Sequence, residues 1–274
     1  MHQATLSQAA IEPIGTKDLC VKILTWNING VRARGKQVEE LVGLAAPDVL
    51  CLQEIKASPE QIEEDVCYLP ELSSTWHGQK GGYSGVSVHV RRRFGKAHIE
   101  VPAIDRETRM VVAEIAPKAE GAESLTVASV YAPNGGKDYD AKIAFYKDFI
   151  EWAAQRKDTP LVITGDLNIA HADLDLHPSQ RKEGVIGQRP EERALFSQLL
   201  ERGGLVDAGR ALHPDDDRMF TWWPYWKMAR ERNLGWRIDY ILVSASLRER
   251  IQEARVLADF GTSDHAPFCV ELDW

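Results

Sequence analysis

The sequence predicts an α/β protein in which two packed β-sheets are covered by helices, four layers in all. Short apolar runs punctuated by glycine and proline dominate the chain, and only a few stretches between them show helical periodicity. A strand, a helix, a strand and then a meander of strands occur before about residue 120, and the same order recurs in outline after it. Many strands with few helices are typical of two sheets packed together and covered by helices.

The elements follow one another in two similar halves. In the first half, apolar runs predict strands at 21–26, 49–53, 85–90 and 110–115, and helical spacing predicts helices at 35–44 and 59–66. In the second half, the same signals predict strands at 125–131, 161–165, 236–243, 255–259 and 268–272, and helices at 139–155, 190–201 and 245–249.

Two of the helices have additional support from their own residues. The helix at 139–155 carries a stripe of apolar side chains at helical spacing, namely Ile143, Tyr146, Phe149, Ile150 and Ala153. The helix at 190–201 begins with Pro190, Glu191 and Glu192, which suit the first turn because proline needs no amide partner there and acids face the positive end of the helix dipole.

Length and composition are those of a globular protein with ample chain for a core. The chain has 274 residues, of which 44% are hydrophobic and 27% charged. We predict one domain over residues 21–274, preceded by a flexible extension over 1–20 that lacks the pattern of an export signal. No apolar run approaches the ~20 residues of a membrane helix. The four cysteines form no C-x-x-C pair, which favours a reducing compartment, and we expect the cytoplasm.

The charge balance argues against a protein that coats nucleic acid indiscriminately. There are 33 Lys and Arg against 41 Asp and Glu, a formal net charge of −8. Local basic segments remain possible partners for phosphate. The most interesting is "YWKMARERNLGWR", in which basic residues are interleaved with Tyr225, Trp226 and Trp236.

Polar residues recur at or near the ends of predicted strands. In "PLVITGDLNIAH" an apolar run ends at Asp166 and Asn168, which an extended chain places on the same side. The other strand ends carry Asn27, Asn29, Glu54, Tyr131, Asn134, Asp239, Asp264 and His265. Any one of these is typical of a turn, a cap or a sheet surface. So many strand ends of this kind predict a functional site, because sites in layered α/β folds gather there.

The residue types indicate the chemistry of that site. Carboxylates and amides without cysteine suit Mg²⁺ or Mn²⁺, which are held by few protein carboxylates together with water and substrate phosphate. A remaining acid can orient water, and an imidazole, a phenol and amides can stabilise charge on phosphate oxygens. The set therefore predicts metal-assisted phosphodiester hydrolysis. The sequence contains neither G-x-x-x-x-G-K-[ST] nor G-x-S-x-G, so P-loop and serine hydrolase chemistry have no support.

Taken together, the motifs resemble the exonuclease III type of apurinic/apyrimidinic (AP) endonucleases within the endonuclease/exonuclease/phosphatase superfamily. The matching stretches are "LTWNINGVRAR", "LCLQEIKA", "GYSGVSV", "VYAPNG", "ITGDLNIAH", "FTWW", "GWRIDYILVS" and "SDHAPF", in the family order over residues 21–274. The resemblance implies a four-layered α/β sandwich with two packed mixed β-sheets flanked by helices. It also implies a Mg²⁺-dependent DNA repair nuclease that cuts 5′ to abasic sites, with 3′→5′ exonuclease and 3′-end-cleaning activity and with Mn²⁺ able to substitute.

The resemblance implies a role for each matching residue. Asp166 would position or deprotonate the attacking water, with Asn168 orienting it, while Glu54 would be the main metal ligand. The remaining metal-site residues would be Asn27, Asn29 and Asp264, together with Asp166 and Asn168. His265 would bind the scissile phosphate and Asp239 would set its proton state. Tyr131 would contact the phosphate or the leaving oxygen.

The resemblance also implies a DNA-binding surface. Trp222, Trp236 and Ile238 would enclose a flipped-out abasic sugar, Asn134 would contact the backbone, and Trp223 and Trp226 are left undecided. Further candidate phosphate contacts are Arg32, Lys137 and Arg230. We expect a monomer that binds double-stranded DNA with abasic or damaged sites and no membrane.

Two other functions remain open from sequence. A phosphodiesterase of the same fold could act on a non-DNA substrate, although "NLGWRIDY" and the lack of a membrane-binding patch favour DNA. A non-catalytic protein could bind abasic DNA without cutting it, although Glu54, Asp166, Asn168, Asp239 and His265 are all present.

Overall fold

The computed structural model describes residues 20–116 and 123–274. The predicted extension over 1–20 therefore lies outside the described residues except for Cys20, and the extent of the domain stays a prediction. Among the residues described, no helix has the length and apolar character to cross a membrane.

Twelve strands of the described chain form two six-stranded sheets. The first sheet has the order β11 (Ile251–Val256), β12 (Phe268–Asp273), β1 (Cys20–Asn27), β2 (Val49–Gln53), β4 (Val86–Arg91) and β3 (Leu72–His77). The second has the order β5 (His98–Glu100), β6 (Met110–Ile115), β7 (Leu125–Tyr131), β8 (Leu161–Asp166), β10 (Asp239–Ser244) and β9 (Leu205–Asp207). The pairs β1/β2 and β7/β8 are parallel and the other pairs antiparallel, so both sheets are mixed.

The α-helices are α1 (Val31–Ala45), α2 (Tyr139–Ala154), α3 (Pro190–Gly203) and α4 (Ala208–Leu212). Helix α1 connects the parallel strands β1 and β2, and α2 connects the parallel strands β7 and β8. Parallel neighbours need such a crossover because the chain must return to the end of the sheet where the first strand began before the next strand can pair with it. The predicted repetition between the two halves is thus present as two strand–helix–strand units, one in each sheet.

Three apolar clusters stack these elements into four layers. The central cluster lies between the sheets and joins residues such as Ile23 and Val88 of the first to Val127 and Val162 of the second. The outer face of the first sheet packs on α1, and the outer face of the second packs on α2 and α3. The predicted α/β sandwich is confirmed.

Several predicted boundaries were wrong. Strands β3, β5 and β9 were missed because they are short or polar; β3, for example, is the edge strand LSSTWH with exposed serines. Strand β11 starts at Ile251, ahead of the predicted 255–259. The predicted helices at 59–66 and 245–249 are short 3₁₀ segments, Pro59–Gln61 and Ala245–Arg250, and the short helix α4 was not predicted. Strand β10 starts at Asp239, because Trp236 instead bridges to Leu176 and Trp222.

Candidate active site

The polar strand ends meet at one end of the sandwich. In the second sheet, Asp166 at the end of β8 has Tyr131 of β7 on one side and Asp239 of β10 on the other. Gly165 makes this possible, because a side chain there would lie 1.9 Å from the carbonyl oxygen of Val130. Strands β1 and β2 of the first sheet end at the same place, as their contacts to Asp166 show.

The chain turns sharply just after three of these strands. Asn29, Glu54 and Asn168 have φ angles of +47°, +50° and +52°, in the left-handed region that non-glycine residues rarely occupy. They lie one or two residues beyond the ends of β1, β2 and β8. Backbone strain of this kind persists where the surrounding contacts impose it, and it is common at functional sites.

Asn27 links the carboxylates of the two sheets. Its Nδ2 donates to Glu54 Oε1 at 2.9 Å and to Asp166 Oδ2 at 2.9 Å, while its Oδ1 accepts from the backbone N–H of Asn29 at 3.0 Å. Both carboxylates need a donor, so the amide nitrogen rather than the oxygen faces them. Asn27 thus holds the two acids at a fixed separation, and its expected place at the metal site stays a prediction.

Glu54, Asp166 and His265 offer ligand atoms that lie within 4.8 Å of one another. Burial alone would raise the pKa of Glu54, but hydrogen bonds from Asn27 and Lys56 and the charge of Lys56 lower it, so this carboxylate stays ionised. Two carboxylates with oxygen donors at this spacing fit a hard divalent cation such as Mg²⁺ or Mn²⁺. The donor set is therefore a candidate site for the kind of metal expected from sequence, and Glu54 as its main ligand stays a prediction.

His265 and Asp239 form a buried pair. His265 Nδ1 lies 2.8 Å from Asp239 Oδ2, and His265 Nε2 lies 3.8 Å from Asp166 Oδ2. Burial by itself would lower the pKa of His265, but the charges of Asp239 and then Asp166 raise it. Burial raises the pKa of Asp166 above its ordinary value, with His265 opposing this. The arrangement places a proton acceptor next to an imidazole that retains its proton.

Asn168 and Tyr131 complete the polar wall. The backbone N–H of Asn168 donates to Asp166 Oδ1 at 3.0 Å, and its Nδ2 donates to the carbonyl oxygen of Ala132 at 2.9 Å, so the side-chain oxygen is the atom it can offer to another donor. Burial, followed by the charges of Glu54 and Asp166, raises the pKa of Tyr131 well above 10. Tyr131 therefore stays a phenol and donates a hydrogen bond.

Lys56 is a site residue that was missed from sequence. Its Nζ lies 2.7 Å from Glu54 Oε2 and donates to Asn29 Oδ1 at 2.6 Å. Asn29 Nδ2 in turn donates to Asp264 Oδ1 at 3.0 Å. The Asn29 amide thus bridges Lys56 and Asp264, and its expected place at the metal site stays a prediction. The signal was available in "QEIKA", where Lys56 follows Glu54 by two residues.

Asp264 lies outside the cluster of Glu54, Asp166 and His265. Its Oδ1 accepts from Asn29 and from the hydroxyl of Tyr225, and its Oδ2 accepts from Trp222 Nε1 at 3.1 Å. These contacts place Asp264 between the polar site and the aromatic residues, and its expected contact with the metal or the waters bound to it stays a prediction.

An aromatic cluster adjoins His265. The rings of Trp222 and Trp236 meet edge to face with centroids 5.7 Å apart, and the Trp222 ring lies 6.5 Å from the imidazole of His265. Ile238 packs with Leu176 in the same apolar cluster. The structure thus brings together Trp222, Trp236 and Ile238.

The other residues of the aromatic-basic segment have different surroundings. Trp223 is 2% exposed and belongs to an apolar cluster, whereas Trp226 is 62% exposed. The guanidinium of Arg230 donates to the backbone carbonyls of four residues, Ala258, Phe260, Gly261 and Ser263. The Arg230 guanidinium thus holds the 258–263 loop, and its expected phosphate contact stays a prediction.

A groove with a volume of about 490 Å³ runs from Tyr131 past Asn134 and Lys137. Arg109, also missed from sequence, lies across it with its guanidinium 5.3 Å from the Tyr83 ring and 4.9 Å from the Tyr131 ring. Arg32 is exposed at the start of α1, away from the groove lining. The groove lining carries Arg106, Arg109 and Lys137 against Glu107 and Asp138, and Arg109 pairs with Glu107 at 2.9 Å, so its net formal charge is 3 − 2 = +1.

This geometry can perform in-line attack on a phosphodiester. Asp166 can accept a proton, the imidazole of His265 and the phenol of Tyr131 can donate to phosphate oxygens, and Glu54 can hold a cation. The aromatic cluster adjoins these groups through Trp222, whose ring lies 6.5 Å from the imidazole of His265. The groove begins at Tyr131 of the same site.

Known proteins share this chain's sequence and fold. A model of the Endonuclease/Exonuclease/phosphatase family matches residues 24–265. The chain is 34% identical to an exodeoxyribonuclease of Bacillus subtilis over 265 residues, 92% of this chain and 98% of that protein. It is 33% identical to the DNA repair nuclease APEX1 of Danio rerio over 269 residues, 92% of this chain and 82% of that protein. A Neisseria 3′ phosphatase solved with a product DNA hairpin superposes with a TM-score of 0.81 at 31% identity, over 93% of this chain and 100% of that one.

Proposed function

Because the chain belongs to the endonuclease/exonuclease/phosphatase family and is a DNA repair nuclease of the exonuclease III and AP endonuclease class, we propose that it hydrolyses the phosphodiester 5′ to abasic sites in duplex DNA. The reaction uses Mg²⁺ and leaves a 3′-hydroxyl, and 3′→5′ exonuclease and 3′-end-cleaning activities accompany it. The observation that carries the proposal is the contact of Trp222 with Trp236 beside His265 and the Glu54–Asp166 carboxylates. We propose that Trp222, Trp236 and Ile238 form the aromatic pocket for the abasic sugar.

The chemical step is a direct displacement by water. Asp166 takes a proton from the water as its oxygen bonds to phosphorus, the bond from phosphorus to the 3′ oxygen breaks, and that oxygen takes a proton from solvent water to give the 3′-hydroxyl. Asn168, held by Asp166 Oδ1 through its backbone N–H, orients the water. His265 and Tyr131 donate hydrogen bonds to the charge that develops on the phosphate and leaving oxygens. Glu54 and Asp166 would hold the metal ion, which when bound supplies positive charge next to the phosphate.

Asp239 acts through His265. Its carboxylate oxygen 2.8 Å from Nδ1 fixes the proton on that nitrogen and keeps the ring positively charged. Nε2 then faces the phosphate as a donor. Asn27 and Lys56 have a comparable task at Glu54, because both hydrogen-bond to its carboxylate and keep it ionised.

The aromatic pocket favours an abasic nucleotide over an intact one. A flipped-out sugar without a base costs little to extrude, since there is no stacking to break. Trp222, Trp236 and Ile238 present an apolar surface that suits the bare deoxyribose, and His265 beside them places the adjoining phosphate at the reactive centre.

The groove lined by Arg109, Asn134 and Lys137 supports a polymeric substrate. Contacts to phosphates along a strand fix the register of the protein on DNA and need only a local positive face. We propose that one DNA strand follows this groove. Since the substrate is chromosomal DNA, we also propose that the chain acts as a monomer in the cytoplasm, with residues 21–274 as one unit.

The test uses a labelled duplex with one tetrahydrofuran abasic analogue, which cannot undergo β-elimination, so that any cut is hydrolytic. Wild type and Asp166→Asn are incubated with Mg²⁺ and with EDTA. We expect Mg²⁺-dependent nicking by wild type and a loss of ~10²-fold or more in the variant, as for removal of a general base. Binding without cutting would refute the proposal in favour of a non-catalytic binding protein. Cleavage of a non-DNA phosphodiester without cleavage of abasic DNA would identify the chain as a phosphodiesterase of the same fold with a non-DNA substrate.

A further inference from the structure

A fully enclosed ion pair lies behind the loops of the active site. Lys142 of α2 and Glu192 of α3 each have 0% of their side-chain surface exposed, and Lys142 Nζ lies 2.6 Å from Glu192 Oε1. Such a pair adds little stability over apolar side chains of similar volume, because both charges lose their hydration. Packing of α2 against α3 therefore does not by itself explain it.

The other donors of Lys142 go to two site loops. Its Nζ donates to the carbonyl oxygen of Asn168 at 2.8 Å and to that of Asn134 at 3.3 Å. An ammonium group has three N–H bonds, so Glu192, Asn168 and Asn134 use all of them. One contact falls on Asn168, whose left-handed backbone follows β8, and the other on Asn134, which lines the groove after β7.

Glu192 extends the connection to a third loop. Its Oε2 accepts from the backbone N–H groups of Gly187 at 2.7 Å and Arg189 at 3.0 Å. The carbonyl oxygen of Gly187 accepts from Ala170 at 2.7 Å, and a side chain at Gly187 would lie 2.9 Å from the Trp236 ring. The backbone at Gly187 is thus held directly against one wall of the aromatic pocket.

We infer that Lys142 and Glu192 are positioning residues for phosphodiester cleavage, an inference that rests on the proposed function. They do not touch the substrate. Lys142 fixes the strained turn that aims Asn168, and Glu192 fixes the Gly187 loop against Trp236. One ion pair therefore sets the distance between the groups that act on the phosphate and the pocket that receives the sugar.

The double variant Lys142→Met/Glu192→Gln removes both charges and keeps an acceptor for a backbone N–H at 192. The matched control is Lys22→Met/Glu271→Gln, which removes a 3.0 Å ion pair between β1 and β12. Lys22 lies five residues before Asn27 on β1, roughly 17 Å from the site. Steady-state kinetics on the abasic duplex and thermal unfolding are measured for both.

We expect kcat of the double variant to fall by roughly 10–10²-fold, as for small misplacement of reacting groups. KM should change by less than about 3-fold, since the loss concerns alignment rather than ground-state binding. The control variant should keep the wild-type kcat. A folded double variant with wild-type kcat, or one in which only KM rises, would overturn the inference.

Two further measurements keep the outcome decisive. If the double variant does not fold, Lys142→Gln/Glu192→Gln is used, because it also leaves no buried charge unpaired and keeps a hydrogen-bond donor at 142; failure of both to fold would assign the pair to folding and overturn the inference. Amide hydrogen exchange without DNA should be faster at 168–170 and 184–189 in the variant and unchanged in the control. A wild type that leaves abasic DNA uncut refutes the proposed function, and exchange alone then decides the inference: unchanged exchange refutes it.

Discussion

Asp239→Asn separates the charge of the buried pair from its geometry. The substitution keeps the size of the side chain and an oxygen that can accept from His265 Nδ1, but it removes the negative charge 2.8 Å from that nitrogen. His265 loses the main contribution that raises its pKa, so a larger fraction of the enzyme carries a neutral ring that donates less strongly to phosphate.

The expected magnitude follows from burial. The side chains of His265 and Asp239 are 5% and 0% exposed, so solvent does not screen their interaction. A hydrogen bond to a charged group contributes roughly 1.5–3 kcal/mol, and a loss of about 3 kcal/mol in the transition state lowers kcat by roughly 10²-fold. Folding should change by less than about 1 kcal/mol, because Asp239 Oδ1 is buried without a hydrogen-bond partner and the amide removes this buried charge.

Single-turnover cleavage of the tetrahydrofuran duplex in Mg²⁺ gives the rate, and titration with EDTA present gives the Kd. Asp48→Asn is the control, since Asp48 is a buried acid paired with Arg93 at 2.9 Å at the opposite end of β2. A rate of Asp239→Asn within about 3-fold of wild type, or an equal loss in Asp48→Asn, would refute the assigned role of the pair.

Three further outcomes follow from the same structure. Trp236→Ala removes a pocket wall and should weaken the Kd for the tetrahydrofuran duplex by roughly 4–15-fold, as for one or two sugar CH₂ groups buried at ~0.8 kcal/mol each, while undamaged duplex binds as before. Fluorescence anisotropy in EDTA measures both, and equal losses would contradict the pocket. Gly165→Ala, with φ at +135° and a carbonyl 1.9 Å from the new side chain, should cost roughly 3 kcal/mol or more in urea unfolding, whereas Gly43→Ala in α1, where nothing lies within 4 Å, should gain roughly 0.5–1 kcal/mol. Burial lowers the pKa of His89 from 6.5 to about 3. Below pH 6.5 the His89 imidazole is therefore protonated in the unfolded chain but stays neutral in the folded chain. Its contribution to stability is complete above pH 6.5 and is lost as the pH falls towards 3, by up to about 1.4 kcal/mol per pH unit; urea titrations between about pH 7 and 5 should show a slope that His89→Gln lacks.

The strand-end residues could be predicted because their signal is local. Asp166 and Asn168 follow an apolar run at a spacing that an extended chain turns to one side, and Asp239 interrupts another apolar run. The fold class could be predicted from the same apolar runs, because a buried strand consists mostly of apolar residues that are consecutive in the sequence. Edge strand β3 escaped because its serines face solvent and leave no apolar pattern.

The roles of several lysine and arginine side chains could not be predicted from sequence. Arg109 becomes a site residue only because the fold brings it next to Tyr131, while Arg230 donates to backbone carbonyls of a distant loop. The Lys142–Glu192 pair joins positions 50 residues apart on two helices. An arginine or lysine has a long side chain with many possible partners, so its task depends on tertiary neighbours.

The bond from Asn27 to Asp166 crosses from one sheet to the other. Moving one sheet past the other by a single residue, ~3.3 Å, would take this donor out of reach while leaving every strand intact. The rate of turnover therefore reports the position of one sheet relative to the other. Pressure or dilute urea that allows the two sheets to shift should abolish DNA cleavage while circular dichroism still shows the full secondary structure.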